Sequence, residues 1–469
     1  RGVTSNPSIF QNAIAKTRDY DFALQPMAWA GLSAEEIFWE LAVKDIQDAA
    51  DLFMPVYQAT QKLDGYVSLE VSPYFAKDTQ KTIAQARQLW AKVNRPNLMI
   101  KIPATVEGLP AIRAAIADGI NVNVTLIFSI VRYKEVIEAY LSGLEDRLRS
   151  GGAIEDIASV ASFFVSRVDS KVDGALSKQV ESSKHDPKIH SDLLGKAAIA
   201  NARLAYKEFK TVFAAERFAY LKKKGAQVQR PLWASTSTKN PNYRDVIYVE
   251  ELIGPQTVNT MPPATLAAFI DHGNAELMIE KDIEVALASL KALENIGIHM
   301  DAVTSELENE GVKAFADAFS ALIESVEERR LLQSNALGGL TQPVKARVEK
   351  LEKDNFVERL HDHDPSLWTA DAKGQQEIRI RMDWTQAPWQ SETYLPKLQT
   401  LLPECRAAGF THALLLGMGG SSLAPEVLRL INGQTEYKGS LGLDLGVLDS
   451  TNPDEVVKKK KKFPIGSTL

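Results

Sequence analysis

The sequence predicts an α/β fold in which a closed parallel (β/α)8 barrel is followed by a second, smaller α/β unit. Three observations lead to this prediction. Short β-rich segments alternate with longer amphipathic stretches as far as Pro262, which is typical of parallel strands covered by helices. Helical patterns follow from there to about residue 330. An apolar strand, a glycine turn and a helical pattern then occur together at residues 413–431.

Seven segments before residue 263 have the composition and length of β-strands. They are residues 2–7, 66–72, 97–103, 122–128, 159–169, 230–236 and 257–262. Because a closed parallel barrel needs eight strands, we expect one more strand in chain that precedes Arg1. An open, doubly wound sheet is the alternative. It predicts a glycine-rich phosphate loop after an early strand, and no such motif occurs before residue 260.

The segments between these strands have helical patterns. In one of them Ser33 is a predicted N-cap, Glu36 occupies the capping-box position, and apolar residues recur at the helical period. We expect a barrel with its C-terminal helices at 1–330, an irregular linker at 331–390 that packs on its neighbours, and a second α/β unit at 391–469.

Composition and charge argue against several classes of function. The net charge of −6 over 469 residues is unlike that of a general nucleic-acid binder, which needs a strongly basic surface. No apolar run in the sequence reaches the ~18–20 residues that span a bilayer. The single cysteine, Cys405, excludes an intramolecular disulfide and favours a reducing compartment such as the cytoplasm.

Lys101 stands in the otherwise apolar segment LMIKIPA, shortly before the expected end of its strand at Pro103. It has two interpretations. A lysine at the edge of a sheet can extend its ammonium group into water. A lysine inside a barrel is instead desolvated, which disfavours the ammonium form and leaves a free amine to attack a ketone. Catalytic groups of barrels lie at the carboxyl ends of strands, and Lys101 is close to such an end.

Polar residues interrupt other predicted strands near the same end. Asn123 and Thr125 are two residues apart and therefore point to the same side of their strand. A single buried polar residue is usually a hydrogen-bonded core residue. Several at one rim predict a site for a polyhydroxylated ligand, with one acid–base group and one cation for a phosphate. The set comprises Asn6, Glu70, Asn123, Thr125, Ser162 and Arg167.

Seven motifs along the chain resemble those of transaldolases, in the same order. They are GVTSNPSIF, LEVSP, KIPATVEGLPAI, GINVNVTLIFS, SFFVSRVD, LWASTSTKNPNYRD and LIGPQTVNTMP, and the resemblance covers roughly residues 1–330. It implies a TIM-type barrel and transfer of dihydroxyacetone, through a lysine Schiff base, from sedoheptulose 7-phosphate to glyceraldehyde 3-phosphate, giving erythrose 4-phosphate and fructose 6-phosphate. It implies sugar phosphates as partners and no metal or organic cofactor, with no nucleic acid or membrane partner. A homo-oligomer is compatible with it.

The resemblance also implies the roles of individual residues. Lys101 would be the Schiff-base lysine, Glu70 the carboxylate that transfers protons through a bound water, and Thr125 the residue that positions this water. The residues implied to hold the substrate's oxygens are Asn6, Asn123 and Ser162, and those implied at its phosphate are Arg167 and Ser235.

Two features of the family have no direct match. Many members have an arginine shortly after the serine of the phosphate site, where this chain has STSTKN, so Lys239 is a candidate replacement. The family's catalytic aspartate belongs to the first barrel strand, which we expect upstream of Arg1.

Two other functions remain open for the first unit. An aldolase of the same barrel class shares the lysine but releases free dihydroxyacetone or its phosphate, and product analysis with erythrose 4-phosphate distinguishes the two. A non-catalytic barrel that serves as a scaffold is the second. The joint presence of Lys101, Glu70 and Thr125 argues against it.

The second unit contains GMGGSSLAP directly after a short apolar strand. A dinucleotide-binding fingerprint would need glycine where Ser422 stands, which argues against a nicotinamide cofactor, and a plain strand–helix turn is the alternative. Together with LDSTNPDEV at 448–456, this segment resembles the start of glucose-6-phosphate isomerase, an α/β phosphosugar-isomerase (SIS-like) domain that is incomplete here. The residues that match its sugar-phosphate turn are Gly419, Gly420 and Ser421.

This second resemblance implies a bifunctional transaldolase–isomerase. Ser467 and Thr468 match part of the isomerase's phosphate loop, and its catalytic glutamate and histidine are expected further on. Lys458–Lys462 stands where that family continues through a helix and a strand, so we expect the sequence to be incomplete at this point. A solvated charge run or a polybasic contact is the alternative.

Overall fold

The computed structural model describes residues 2–181, 187–335, 337–432, 436–437 and 440–469. It divides into two units, of which the first ends at Lys345 and the second runs from Ala346 to Leu469. This boundary falls within the segment predicted as a linker, 331–390. In the part of the chain that is described, no helix combines the length and the apolar character needed to cross a membrane.

The first unit is built on a curled sheet of seven parallel strands that pair in chain order. The strands are β1 (Val3–Thr4), β2 (Val67–Glu70), β3 (Leu98–Pro103), β4 (Val122–Ile127), β5 (Ser159–Phe164), β6 (Arg230–Ala234) and β7 (Val258–Asn259). The seven strands and their parallel pairing are therefore confirmed. Among the described residues β1 and β7 are not paired with each other, so closure of the barrel by an eighth strand stays a prediction.

Helices connect successive strands and then continue beyond the last one. Because parallel strands need a crossover between them, each connection contains at least one helix. The helices of the first unit are α1 (Pro7–Lys16), α2 (Asp21–Ala30), α3 (Ala34–Ala59), α4 (Thr79–Val93), α5 (Gly108–Asp118), α6 (Ile130–Arg149), α7 (Ser166–Glu181), α8 (Pro187–Leu193), α9 (Ala197–Ala214), α10 (Glu216–Lys223), α11 (Ile247–Glu250), α12 (Pro263–His272), α13 (Ile283–Asn295) and α14 (Met300–Asn335).

Local sequence signals fix several of these boundaries. The predicted capping box is present, since Ser33 Oγ accepts from the backbone of Glu36 and the Glu36 carboxylate accepts from the backbone of Ser33 at 2.8 Å. Asp78 caps α4 by accepting from Lys81 N. The same helix ends at Asn94, whose φ of 48° places it in the left-handed conformation that asparagine tolerates.

The core lies on both sides of the sheet. Every residue of β2, β3, β4 and β5 is buried. On one face, apolar residues such as Leu69, Ile100 and Val122 occupy neighbouring register positions and belong to the main hydrophobic cluster. The other face carries buried polar residues, which need partners inside the protein. This inner face therefore holds the candidate site.

A bulge alters β4 at its carboxyl end. The pairing of β4 with β5 shifts register between Val124 and Ile127, and Leu126 within this interval has a φ of 62°. Bulges of this kind re-aim the side chains beside them and are frequent next to active sites. The irregularity directly follows Thr125 and so affects where this residue lies.

The second unit is mainly helical before its small sheet. Its elements are α15 (Thr341–Lys353), which contains the boundary with the first unit, α16 (Phe356–His361), α17 (Ala372–Arg379), α18 (Ala387–Ala407), β8 (His412–Leu416), α19 (Gly420–Asn432), β9 (Glu436–Tyr437), β10 (Ser440–Leu441), β11 (Asp444–Leu448) and α20 (Pro453–Lys462). The prediction that the linker is irregular was wrong. The helices α15, α16 and α17 have no buried residue, although α15 carries Val344, Val348 and Leu351 at the helical period.

The small sheet of the second unit is parallel in its main pairing. β8 pairs with β11 over five positions, from His412–Asp444 to Leu416–Leu448. On the other side of β8, Thr468 forms a parallel bridge with His412. Lys458–Lys462 forms the carboxyl-terminal half of α20, where cations interact favourably with the end of the helix.

Candidate active site

Strand register brings three predicted residues into one row on the inner face of the sheet. Glu70 of β2 pairs with Lys101 of β3, which pairs with Asn123 of β4. Neighbours in parallel register project to the same face. All three are buried, so a carboxylate, an amine and an amide lie side by side, away from bulk water.

Three contacts of the Lys101 amine are seen among the described residues. Its Nζ lies 3.2 Å from Glu70 Oε2, and the two side chains are each only 7% exposed. The same nitrogen donates to the backbone oxygen of Ser5 at 3.3 Å, directly after the end of β1. The ring centroid of Phe315, from α14, is 5.4 Å away. The amine is thus held by one charged, one neutral and one aromatic partner.

Burial controls the acid–base character of Glu70. Desolvation raises the pKa of this carboxyl, whereas the charge of Lys101 and its hydrogen bond lower it, and the desolvation is larger. A carboxyl group with a raised pKa holds a proton more tightly than an exposed carboxyl group does, which is a property of acid–base residues. The position therefore suits a general acid–base residue, and this role of Glu70 stays a prediction.

A hydrogen-bonded chain of side chains continues the row. Ser162 Oγ donates to Asn123 Oδ1 at 2.7 Å, and Asn123 Nδ2 donates to Ser68 Oγ at 3.1 Å. Thr125 is fully buried, and its hydroxyl has no hydrogen-bond partner among the described residues. A buried hydroxyl without a partner is costly, so Thr125 offers a donor and acceptor to a bound molecule.

The predicted phosphate residues form a second group at the ends of β5 and β6. The sequence placed Arg167 in a strand segment, 159–169, and this was wrong, because β5 ends at Phe164 and α7 begins at Ser166. Ser166 N donates to Ser235 O at 3.0 Å, and the hydroxyl groups of these two serines lie 3.1 Å apart. Ser235 has a φ of 56°, a conformation that serine adopts only where its surroundings enforce it.

Arg167 can bind an anion at this position. Its guanidinium group lies over the ring of Phe164, 5.5 Å from the centroid. Within the described ranges no carboxylate forms an ion pair with it, and burial lowers its pKa. A partly buried guanidinium group without a carboxylate partner is suited to a phosphate. Lys239 is exposed, and its amine donates to Ser237 Oγ at 2.8 Å, so its part in the phosphate site stays a prediction.

A buried and a partly buried carboxylate anchor α7. Asp169 accepts from Ala198 N at 2.7 Å and from the Tyr248 hydroxyl at 2.8 Å. Burial raises the pKa of Asp169 to about 6. One turn further along, Asp173 accepts from the Tyr243 hydroxyl at 2.7 Å. The first turns of α7 are therefore tied to α9, to α11 and to the chain between β6 and α11.

Asn6 lies beside Glu70, and its side-chain oxygen is already engaged by a backbone N–H group. Its Oδ1 accepts from Ile9 N at 2.9 Å and caps α1. Both Asn6 and Glu70 line a narrow cleft. The other lining residues are Ser5, Pro7, Phe10, Phe38, Trp39, Leu69, Val71, Pro73 and Phe319. The amide nitrogen of Asn6 remains available for a ligand in this cleft.

Sequence reasoning missed several residues of the site. Ser68 stands two positions before Glu70 on β2 and could have been found from the two-residue period of a strand. Ser5 adjoins the predicted Asn6 but contributes through its backbone, which no side-chain pattern reveals. Phe315 belongs to a helix far along the chain, and no local signal connects it with Lys101. Among the described residues, no cluster of three or more His, Cys, Asp and Glu side chains could hold a metal ion.

In the second unit, the predicted sugar-phosphate turn and the segment matched to the phosphate loop lie at different ends of β8. The glycine turn at 419–420 follows the carboxyl end of β8, and α19 begins at Gly420. The side chain of Ser421 is outside the part of the structure that is described. Ser467 and Thr468 lie at the opposite end of the strand, since Thr468 bridges to His412 and Ser467 O accepts from Thr411 N. The roles implied for the two segments by the resemblance stay predictions.

Comparison with known proteins places the first unit in a family. Residues 1–326 match the family described as Transaldolase/Fructose-6-phosphate aldolase. A "Transaldolase" of Trichodesmium erythraeum is 49% identical over 334 residues, which are 70% of this chain and 88% of that protein. A "Transaldolase" of Thermobifida fusca is 50% identical over 329 residues, 70% of this chain and 88% of that protein. A "Transaldolase 2" of Nostoc sp. is 47% identical over 338 residues, 71% and 89% respectively. The chain belongs to the transaldolase/fructose-6-phosphate aldolase family.

Proposed function

We propose that the first unit is a transaldolase, which moves a dihydroxyacetone unit between sugar phosphates through a Schiff base on Lys101. The observation that carries this proposal is the buried amine of Lys101, 3.2 Å from the carboxylate of Glu70. Relatives that are about half identical in sequence bear the name transaldolase. Sedoheptulose 7-phosphate and fructose 6-phosphate would be donors, with glyceraldehyde 3-phosphate and erythrose 4-phosphate as the acceptors.

The chemistry follows from the groups present. The lone pair of Nζ attacks the ketone carbon, the ketone oxygen leaves as water after it gains two protons, and a protonated C=N bond forms. A base then removes the proton of the hydroxyl on the fourth carbon. The bond between the third and fourth carbons breaks, its electron pair moves into the C=N system, and an aldose departs. Glu70 is the buried group that can accept and return this proton, directly or through a water held by Thr125.

Substrate binding would use the other polar residues on the inner face. Asn123 and Ser162 already form a hydrogen-bonded pair, which fixes their orientation toward the hydroxyl groups of a sugar. Asn6 contributes its free amide nitrogen from the opposite side. Arg167, Ser166 and Ser235 form the phosphate site, where backbone strain at residue 235 keeps its hydroxyl beside that of Ser166.

Trapping of the covalent intermediate tests the proposal. Borohydride in the presence of fructose 6-phosphate should leave a reduced three-carbon adduct on Lys101, located by peptide mass spectrometry. Lys101→Met should abolish the adduct. Lys92→Met, an exposed lysine paired with Glu40, is the matched control and should retain it. An adduct on a different lysine would contradict the assignment.

Product analysis separates transaldolase from aldolase activity in the same site. A transaldolase should convert fructose 6-phosphate only when erythrose 4-phosphate is present, and sedoheptulose 7-phosphate should then appear. Release of dihydroxyacetone at the same rate without an acceptor would instead favour the aldolase.

We further propose that the second unit is the beginning of a glucose-6-phosphate isomerase-like domain, so that the chain is a cytoplasmic, bifunctional enzyme. The order β8, glycine turn, α19 and parallel β11 supports the isomerase-like domain. The free thiol of the buried Cys405 fits a reducing compartment such as the cytoplasm.

Calorimetry tests this second proposal. Glucose 6-phosphate should bind to the full chain, and Gly419→Val should remove a binding event that Arg167→Ala leaves intact. Absence of such an event would contradict the proposal.

A further inference from the structure

α14, the last helix of the first unit, packs against β4 beside the Lys101 site. The two elements come close together at Gly311, where an added Cβ would lie 3.0 Å from Leu126 Cδ2 and 3.5 Å from the ring of Phe128. Phe315 is four residues further on and therefore faces the same way. The absence of a side chain at residue 311 thus allows the ring of Phe315 to come within 5.4 Å of Lys101 Nζ.

Charged contacts hold the same part of α14 to the helices around the sheet. Lys171 of α7 pairs with Glu306 at 2.7 Å and with Glu310 at 2.6 Å. Arg132 of α6 lies 3.4 Å from Glu308. Each exposed ion pair contributes little to stability by itself. Together, the three pairs favour the same rotation of α14 about its axis as the apolar contact at Gly311 does. The position of the Phe315 ring is therefore set by the fold, because contacts with α6 and with α7 hold this part of α14.

We propose that Phe315 is a catalytic residue, whose ring stabilises the positive charge that resides on the Lys101 nitrogen in the protonated Schiff base. This inference rests on the proposed function of the site and adds a residue to it. The attraction is the one between a cation and the negative face of an aromatic ring, which extends to about 6 Å from the centroid.

The change in bonding at the nitrogen makes this contact more important than the other two. An ammonium group has three N–H bonds, which can serve Ser5 O and the Glu70 carboxylate at the same time. Formation of the protonated Schiff base leaves one N–H, because two are lost as the C=N bond forms. The nitrogen can then donate to only one of these oxygens. Attraction to the ring needs the charge alone and no N–H, so it persists through the intermediate.

The surroundings of the ring fit this role better than a purely structural one. Phe315 is only partly buried and lies at the margin of the core cluster, whereas Phe319, one turn further along, is fully buried against Phe38 and Tyr74. The fully buried residues Phe319, Leu322 and Val326 supply most of the packing of α14, and Phe315 adds a smaller contact with the core. Phe315 instead closes the side of the amine that the strands leave open.

Fluorination of the ring tests the proposal with little change in shape. Phe315 is replaced, in the full chain, by mono-, di- and trifluorinated phenylalanine, which weakens the negative face stepwise. The readouts are the rate and the extent of borohydride-trapped adduct on Lys101 with fructose 6-phosphate. We expect a graded decrease that reaches about 3- to 30-fold for the trifluorinated ring. The same replacement at Phe218, a buried residue of α10 that packs on Phe213, is the control for incorporation and should give wild-type trapping.

Phe315→Leu provides the second measurement, because leucine fills the space without an aromatic face. It should reduce trapping at least as much as trifluorination. If Phe315→Leu lowers trapping while the fluorinated series stays within two-fold of wild type, the ring only fills space and the inference is overturned. If wild-type protein forms no adduct on Lys101, the proposed function itself fails, and this inference fails with it.

Discussion

Asp169 is a carboxylate buried in a place where its charge is unfavourable. The residue is 1% exposed, and burial raises its pKa from an ordinary 3.8 to about 6 in the folded protein. Between these two values the folded protein holds a proton that the unfolded chain has released. Stability therefore falls as the pH rises from about 4 to about 6. Above this window, the difference of roughly two pKa units lowers the free energy of unfolding by about 3 kcal/mol.

Asp169→Asn should remove this dependence while both hydrogen bonds remain. The amide oxygen can accept from Ala198 N, and the amide nitrogen can donate to the Tyr248 hydroxyl, which now acts as the acceptor. We expect equal free energies of unfolding for variant and wild type near pH 4. Near pH 7 the variant should be more stable, by up to about 3 kcal/mol. The assay is urea unfolding, followed by tryptophan fluorescence, at several values between pH 4 and pH 8.

A second aspartate gives a control of opposite sign. The pairing of Asp51 with Arg95 lowers the pKa of the Asp51 carboxyl. Asp51 stabilises the folded protein above its ordinary pKa, and this stabilisation is lost as the pH falls. Asp51→Asn should therefore be less stable than wild type at neutral pH, and the difference should shrink toward acid pH. If the profiles of wild type and Asp169→Asn run parallel from pH 4 to pH 8, Asp169 does not titrate in this window and the reasoning is refuted.

Three other variants test the active site. Glu70→Gln should lower turnover by about 10²- to 10⁴-fold, the usual contribution of an acid–base group, with a much smaller effect on substrate affinity; initial rates within a few-fold of wild type would make Glu70 structural. Arg167→Ala should raise KM for fructose 6-phosphate far more than for fructose, because only the phosphate uses the guanidinium fork; equal losses on both sugars would mean that Arg167 supports the fold. Ser162→Ala leaves Asn123 Oδ1 without its donor and should lower kcat/KM by about 3- to 10-fold, and an unchanged value would show that this hydrogen bond does not orient the substrate.

Periodicity in the sequence was sufficient to predict the seven strands of the sheet, but not the register that aligns one row of the site. Glu70, Lys101 and Asn123 each stand in an apolar strand, and parallel strands bring their carboxyl ends to one edge, so their proximity followed from topology alone. Register had to be observed. A shift of one residue in β3 would turn Lys101 to the outer face and Ile102 inward, and nothing in the sequence of that strand forbids such a shift.

Tertiary contacts set the features that were missed. The end of β5 could not be predicted, since the segment SFFVSRVD continues with apolar residues into α7, and the helix begins where Ser166 binds the backbone of Ser235. The place of Phe315 depends on the approach of α14 at Gly311, more than 200 residues away in the sequence from Lys101. Exposed helices such as α17 leave no apolar stripe to detect.

Two buried carboxylates show how the same physical effect can serve different purposes. Burial raises the pKa of both Asp169 and Glu70, and each residue breaks the rule that charges stay in water. Asp169 accepts two hydrogen bonds from Ala198 and Tyr248, whose bonding does not change during a reaction. Glu70 has a hydrogen bond only from Lys101 among the described residues, and the proposed reaction alters the bonds of that nitrogen. Each turnover would thus change the hydrogen bond and charge that lower the pKa of Glu70, whereas the surroundings of Asp169 would not change. A carboxylate with fixed partners anchors a helix. A carboxylate whose single partner takes part in the reaction is suited to transfer protons in step with it.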